Sequence, residues 1–285
     1  MQHQVVGYGW RDGSPELRLR DRDPIAIQGD LAFSLVDKRH CIGWRDRTGP
    51  ASQLRPCPTL DDTSGVQCGS CSRREGFWAC MTCDGFECPA LQPSMLDYCR
   101  GEHVLYLACF GGNSVKVGTA SGPRRVARLI EQGPLAAGHI ARAPGPVIKQ
   151  MEALAVRAGL VEAVRRSRKW QEYQSRATQA EGRRRIERAY RMVLDRLPEH
   201  YHEHLHAPDW VPLEAGPQGL HNTQMIRIEP GDKVAGRVLG ARGHVVILDD
   251  GAGPFAVDLA AFRSWYLDLD PAAGSGPVRQ LGLFG

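Results

Sequence analysis

No apolar run in this chain is long enough to cross a membrane. The longest near its centre is Val104 to Phe110, far short of the roughly 20 residues a spanning helix needs. The first residues, MQHQVVGYGWRDG, contain no apolar core segment and do not resemble a secretion signal. These two absences lead us to expect a cytoplasmic protein with no membrane partner. A large overall charge is also missing, since 36 Lys+Arg against 32 Asp+Glu leave +4. A polyanion would therefore have to be met by a local concentration of cations. Nor is apolar material scarce: at 42% of residues it is ordinary for a globular protein and excludes wholesale disorder. A chain of 285 residues can bury a real core and suggests two or three compact units.

Nine cysteines in a reducing compartment point to metal ligation ahead of disulfides. Cys68-Gly-Ser-Cys71 and Cys80-Met-Thr-Cys83 are two CxxC knuckles separated by eight residues, Ser72 to Ala79. A tight CxxC turn aims both thiolates at one point, and two such turns complete a tetrahedral zinc shell. The surrounding stretch is poor in periodic apolar residues, so a metal would supply much of its folding energy. We therefore expect Cys68, Cys71, Cys80 and Cys83 to hold a structural Zn²⁺. The other readings are free buried thiols or a redox pair, and the latter is disfavoured because the doubled motif lies in no βαβ pattern. Cys41, Cys57, Cys88 and Cys99 could form a second site or exchange with a member of the first, a choice spacing leaves open. Cys109, inside an apolar run, reads as a core residue.

From His103 to Gly133 the sequence reads HVLYLACFGGNSVKVGTASGPRRVARLIEQG. Two apolar runs joined by Gly111-Gly112-Asn113 predict a β-hairpin. Ser121-Gly122-Pro123 then opens a helix that Gly133 ends. Val126, Leu129 and Ile130 are spaced as its buried stripe, which leaves Arg124 and Arg128 opposite and Arg125 at the edge. Tyr106 reads as a half-buried strand aromatic. A third strand is expected around His139-Ile140-Ala141. A helix from Pro146 follows, and its apolar stripe of Ile148, Met151 and Ala155 includes Glu152. An inward carboxylate needs a partner, for which a divalent metal, Lys116 or an arginine would serve.

These motifs resemble the GIY-YIG nuclease superfamily, with Val104-Leu105-Tyr106 and Lys116-Val117-Gly118 standing where its two signatures would be. More of the chain, from about Cys41 to Phe255, is similar to a bacterial and archaeal family of unknown function that joins cysteine motifs to a "YLA…KVG…R…EQG" core. The superfamily resemblance implies phosphodiester hydrolysis with Mg²⁺ or Mn²⁺. It assigns Tyr106 and Lys116 to water activation, Arg125 or Arg128 to the phosphate, and Glu152 to the metal. The alternative is a catalytically inactive DNA- or RNA-binding zinc protein on the same scaffold.

Charge is concentrated downstream. Between Arg165 and Arg196 there are 11 basic and 4 acidic residues, giving 11 − 4 = +7, more than the whole chain carries. One or two long helices are expected over 161–197, broken near Gly182, with Ile186, Ala189, Tyr190, Val193 and Leu197 inward and the arginines outward. Such a face attracts nucleic acid by releasing its counterions, and Trp170 and Tyr173 could stack on bases. The alternating His200, His202, His204 and His206 would share a face only in an extended segment. The architecture expected is α+β. An N-terminal β-rich region spans 1–56, a Cys-rich zinc-binding region 57–100 and a GIY-YIG-like core with a basic helical extension 101–210. A C-terminal small β-barrel then spans 221–270, ahead of a flexible tail at 271–285.

Overall fold

The computed structural model describes residues 1–45, 53–75, 80, 82–88, 93–213, 216, 221 and 223–269; the expected tail lies outside them. The chain is mixed α+β and divides into two compact units. One comprises Met1–Trp44, Leu54–Arg74 and Thr223–Gly285, the other Arg45–Gln53 and Glu75–Asn222. No helix among the described residues is long and apolar enough to cross a membrane.

The first unit is built on a nine-stranded sheet. Its N-terminal strands are β1 (Gln2–Arg11), β2 (Ser14–Leu19), β3 (Ile25–Ala26) and β4 (Asp30–Arg39). Asp12 and Gly13 link β1 to β2 with φ of 50° and 77°, the two positive values a two-residue hairpin turn demands. Two-residue strands β5 (Trp44–Arg45) and β6 (Leu54–Arg55) form a separate ribbon. The C-terminal strands are β11 (Gln224–Met225), β12 (Lys233–Arg242), β13 (Val245–Asp249), β14 (Pro254–Asp258) and β15 (Trp265–Asp268). They do not stand apart as a barrel. The sheet order is β11-β14-β13-β12-β4-β15-β1-β2-β3, with β12 pairing to β4 and β15 inserted between β4 and β1. Alternating apolar residues give each strand a buried face but do not name its neighbour, so the two terminal β regions read separately in sequence. Val5, Leu17, Phe33, Leu35, Val246, Phe255, Phe262 and Leu267 fill the shared core.

The second unit carries a four-stranded sheet of order β10-β9-β7-β8, made of β7 (Glu102–Cys109), β8 (Val115–Ser121), β9 (Ala136–Pro144) and β10 (Leu205–Trp210). The β7–β8 hairpin pairs Tyr106 with Gly118 and Ala108 with Lys116. The following helix, Arg125–Gln132, ends on Gly133 at φ 66°, whose N–H bonds back to Leu129 and Ile130 carbonyls. Its inward face is Leu129 and Gln132, whereas Val126 is 38% exposed. Helices Gly145–Arg157 and Gln179–Arg196 pack Ile148, Met151, Ala155, Ile186, Ala189 and Val193 against Leu105, Leu107, Val115 and Val117. The expected helix break lies earlier than Gly182. Helices Arg166–Tyr173 and Gln179–Arg196 are separate, and the second starts at a capping box in which Thr178 and Glu181 bond reciprocally. Gly182 sits inside it, where a Cβ would lie 3.0 Å from Ala136 Cβ.

Candidate functional site

In the first unit the sulfurs of Cys41, Cys57, Cys68 and Cys71 all lie within 4.8 Å of one another. Tetrahedral zinc with ~2.3 Å bonds sets its sulfurs roughly 3.8 Å apart, so only small movements would seat an ion. The set departs from the expected one. Cys68 and Cys71 are together as the CxxC spacing requires, but their partners are Cys41 and Cys57, not Cys80 and Cys83. The missed signal is Cys41-Ile42-Gly43. Gly43 has φ 92°, and an added Cβ there would meet the Arg55 carbonyl oxygen at 1.8 Å, so only glycine makes this turn. The Gly43 N–H donates to Cys41 Sγ at 3.3 Å and the Cys68 N–H donates to it at 3.1 Å. Burial raises the Cys41 pKa, and these two donors, which favour the thiolate a metal needs, offset part of that rise. Burial opposes ionisation of Cys57, but bonds from the Thr59 hydroxyl, the Asp61 and Thr59 backbone and Cys71 outweigh it and bring the pKa to about 6. Burial and the three neighbouring thiols push Cys71 up. Four converging thiols, of which Cys57 is primed to ionise while Cys41 and Cys71 must lose a proton on binding, could hold a metal ion such as zinc.

In the second unit, alternation along β7 and β8 puts Tyr106, Lys116 and Gly118 on one face of the sheet. The Tyr106 ring lies directly over Gly118, where a Cβ would be 2.4 Å from the phenol oxygen. Tyr106 is 1% exposed, deeper than expected, and Gln132 Nε2 donates to its Oη at 2.8 Å. Lys116 Nζ stands 5.9 Å from the ring centroid and donates to the Val117 and Glu162 carbonyls. Burial, with the Arg128 charge acting the same way, lowers the Lys116 pKa to about 8 although Glu152 and Glu162 oppose the fall. Lys169, whose ammonium lies 4.6 Å from the Phe110 ring centroid, falls to about 8 through burial, Lys116, Arg128 and Arg166. Burial raises the Tyr106 pKa against the influence of Arg128 and Gln132.

Glu152 approaches this group from the opposite layer, since its helix packs on the Leu105–Val117 face of the sheet. The residue is 7% exposed, as its place in the apolar stripe implied, and its Oε2 accepts from Lys149 Nζ at 2.8 Å. Arg128 and Glu152 each act electrostatically on both Tyr106 and Lys116, whereas Arg125 is engaged at the start of its helix. Its Nη1 donates to the Gly122 carbonyl at 3.0 Å, and its own carbonyl faces His139 Nε2 at 3.4 Å. Lys169 is the member that sequence reasoning missed, because a strand lysine and a helix lysine 53 residues apart share no local pattern.

Along Gln179–Arg196, Arg184, Arg188 and Arg191 are exposed and fall on one face by their i, i+4, i+7 spacing. Not every arginine points outward. Arg185 Nη1 donates to the Gly111 and Gly112 carbonyls at 2.9 and 2.7 Å and so clamps the hairpin turn. The four alternating histidines fall in a 3₁₀ turn, Glu199–His204, and at the start of β10, and form no metal group among the described residues.

A family model described as "Protein of unknown function (DUF2797)" matches residues 61–267. No curated protein and no solved structure matches the chain.

Proposed function

For a chain that belongs to DUF2797, a family of unknown function, we propose that the hairpin–helix unit binds nucleic acid. Lys116, Arg128 and Lys169 would receive a backbone phosphate, and the exposed arginine stripe would hold the flanking strand. The observation that carries this reading is a pair of half-buried lysines with Arg128 acting on both: burial first, and that like charge after it, lowers each to about 8. Placing cations side by side in a partly desolvated position is costly, and a phosphate oxygen relieves that cost by satisfying several donors at once. A +7 segment in a +4 chain supports the same partner. In the first unit the Cys41, Cys57, Cys68 and Cys71 thiols would bind Zn²⁺ as a structural ion.

The test is fluorescence anisotropy with single-stranded and duplex DNA and RNA over a range of salt. The wild type should bind with log Kd linear in log salt, and a Lys116→Met/Lys169→Met protein should bind several-fold more weakly with a shallower slope. Salt-insensitive binding, or none, would remove the reading.

A second reading, metal-dependent phosphodiester hydrolysis, is favoured by one observation: a buried carboxylate, Glu152, acts electrostatically on both Tyr106 and Lys116. It draws on the motif likeness to GIY-YIG nucleases. Glu152 would hold Mg²⁺ or Mn²⁺ once Lys149 released it, and Arg128 would bind the phosphate through its fork. Incubating the protein with branched DNA, single-stranded DNA and structured RNA plus either metal tests this. Cleavage lost in a folded Glu152→Ala protein would establish it, and intact substrate throughout would leave binding alone.

A further inference from the structure

We infer that Cys80, Cys83, Cys88 and Cys99 form a second four-thiolate metal site, of the zinc class, inside the unit that carries the hairpin–helix core. The inference is independent of what that unit binds. Its first support is a repeated turn. Cys83-Asp84-Gly85 reproduces Cys41-Ile42-Gly43: Gly85 has φ 84° where Gly43 has 92°. In each turn the glycine N–H donates to the sulfur two residues back at 3.3 Å. The same backbone device therefore polarises one thiolate in each cluster.

Gly85 is as obligatory as Gly43, since a Cβ there would meet the Pro146 carbonyl oxygen at 2.3 Å. Gln150 Nε2 donates to the Gly85 carbonyl at 2.9 Å. The Cys83 turn is thus fixed on the first turns of helix Gly145–Arg157. Cys99 arrives at the same place from another segment. It is carried by helix Pro93–Arg100, and its carbonyl oxygen lies 2.2 Å from where a Gly145 Cβ would be. Two ligand-bearing segments are therefore docked against the start of one helix by glycines that admit no side chain.

Charge completes the picture. Lys149 stands beside the Cys83 turn, its Cβ 2.8 Å from where a Gly85 Cβ would be. The four sulfurs are not drawn together as tightly as those of the first cluster, the one group among the described residues whose ligand atoms lie within 4.8 Å of one another; an ion would close them, and a zinc–tetrathiolate complex retains two negative charges that an adjacent ammonium offsets. All four cysteines are free of disulfides, and the spacing C-x₂-C-x₄-C-x₁₀-C brings enough short loops to close a tetrahedral shell.

The experiment uses the full chain purified with zinc. Elemental analysis should return two metal ions per chain, falling to one in Cys80→Ser/Cys83→Ser. Alkylation of the native wild-type protein, mapped by mass spectrometry, needs no variant to fold. It should leave Cys80, Cys83, Cys88 and Cys99 protected until a chelator strips the metal. One ion per chain, with those four cysteines alkylated at the rate of free thiols, would overturn the inference.

Discussion

Replacing Lys116 with methionine separates a binding residue from a structural one, because the two roles predict opposite changes in stability. The wild-type ammonium is half-buried, and its pKa falls from 10.5 to about 8. That fall corresponds to about 3 kcal/mol of cost for carrying the charge in the folded state. Lys116→Met removes this cost but also the bonds to the Val117 and Glu162 carbonyls, worth about 1 kcal/mol each. The variant should therefore be more stable than the wild type by about 1 kcal/mol at pH 7. The sign then changes with pH. Between pH 8 and 10.5 the unfolded lysine keeps its proton while the folded one has lost it, so the wild type gains stability as pH rises. Lys116→Met has no such gain from this position, and by about pH 10 the wild type should be the more stable protein. Lys169 titrates in the same window in both proteins and largely cancels in the difference. Urea unfolding from pH 7 to 10, followed by tryptophan fluorescence, measures the crossover. At pH 7 the same variant should bind an oligonucleotide roughly tenfold more weakly, about the loss of one charge-assisted phosphate contact. A stability difference that does not move with pH would refute the reasoning. So would a variant clearly less stable than wild type at pH 7 with undiminished binding.

Three further outcomes are expected. Gly118→Ala drives a methyl into the Tyr106 phenol, which is fully packed, and should cost about 3 kcal/mol in urea unfolding; a neutral result would mean the ring does not lie over the strand. Ile186→Ala empties a fully buried position under the sheet and should cost roughly 2–5 kcal/mol while leaving oligonucleotide affinity unchanged. Cys41→Ser should release one metal ion per chain and lower the thermal midpoint of the first unit. Cys83→Ser should leave that midpoint unchanged, as calorimetry and elemental analysis of both proteins would show.

Local pattern carried the hairpin, its helix and the inward Glu152, because each depends on residues within a few positions of one another. Gly133 closes its helix by adopting φ 66°, and the Gly111-Gly112 turn joins two runs whose apolar residues already set their period. The capping box at Thr178 and Glu181 is equally local and marks the helix start, so the break expected near Gly182 falls before it. The metal ligands were only half legible. A CxxC pair converges by its own geometry, yet nothing in the spacing tells it whether to close with Cys80 and Cys83 or with Cys41 and Cys57.

What the sequence determined by itself is therefore the set of elements, the presence of a cysteine cluster and the cationic segment, all of which follow from short-range sterics, period and composition. What only the tertiary structure decided is partnership. It joined the terminal strands in one sheet, drew Cys41 and Cys57 to the CxxC pair, brought Lys169 within range of Lys116 and tied Arg125 to the Gly122 carbonyl. Those choices depend on which surfaces bury each other best, a property of the whole packed core that no window of neighbouring residues contains.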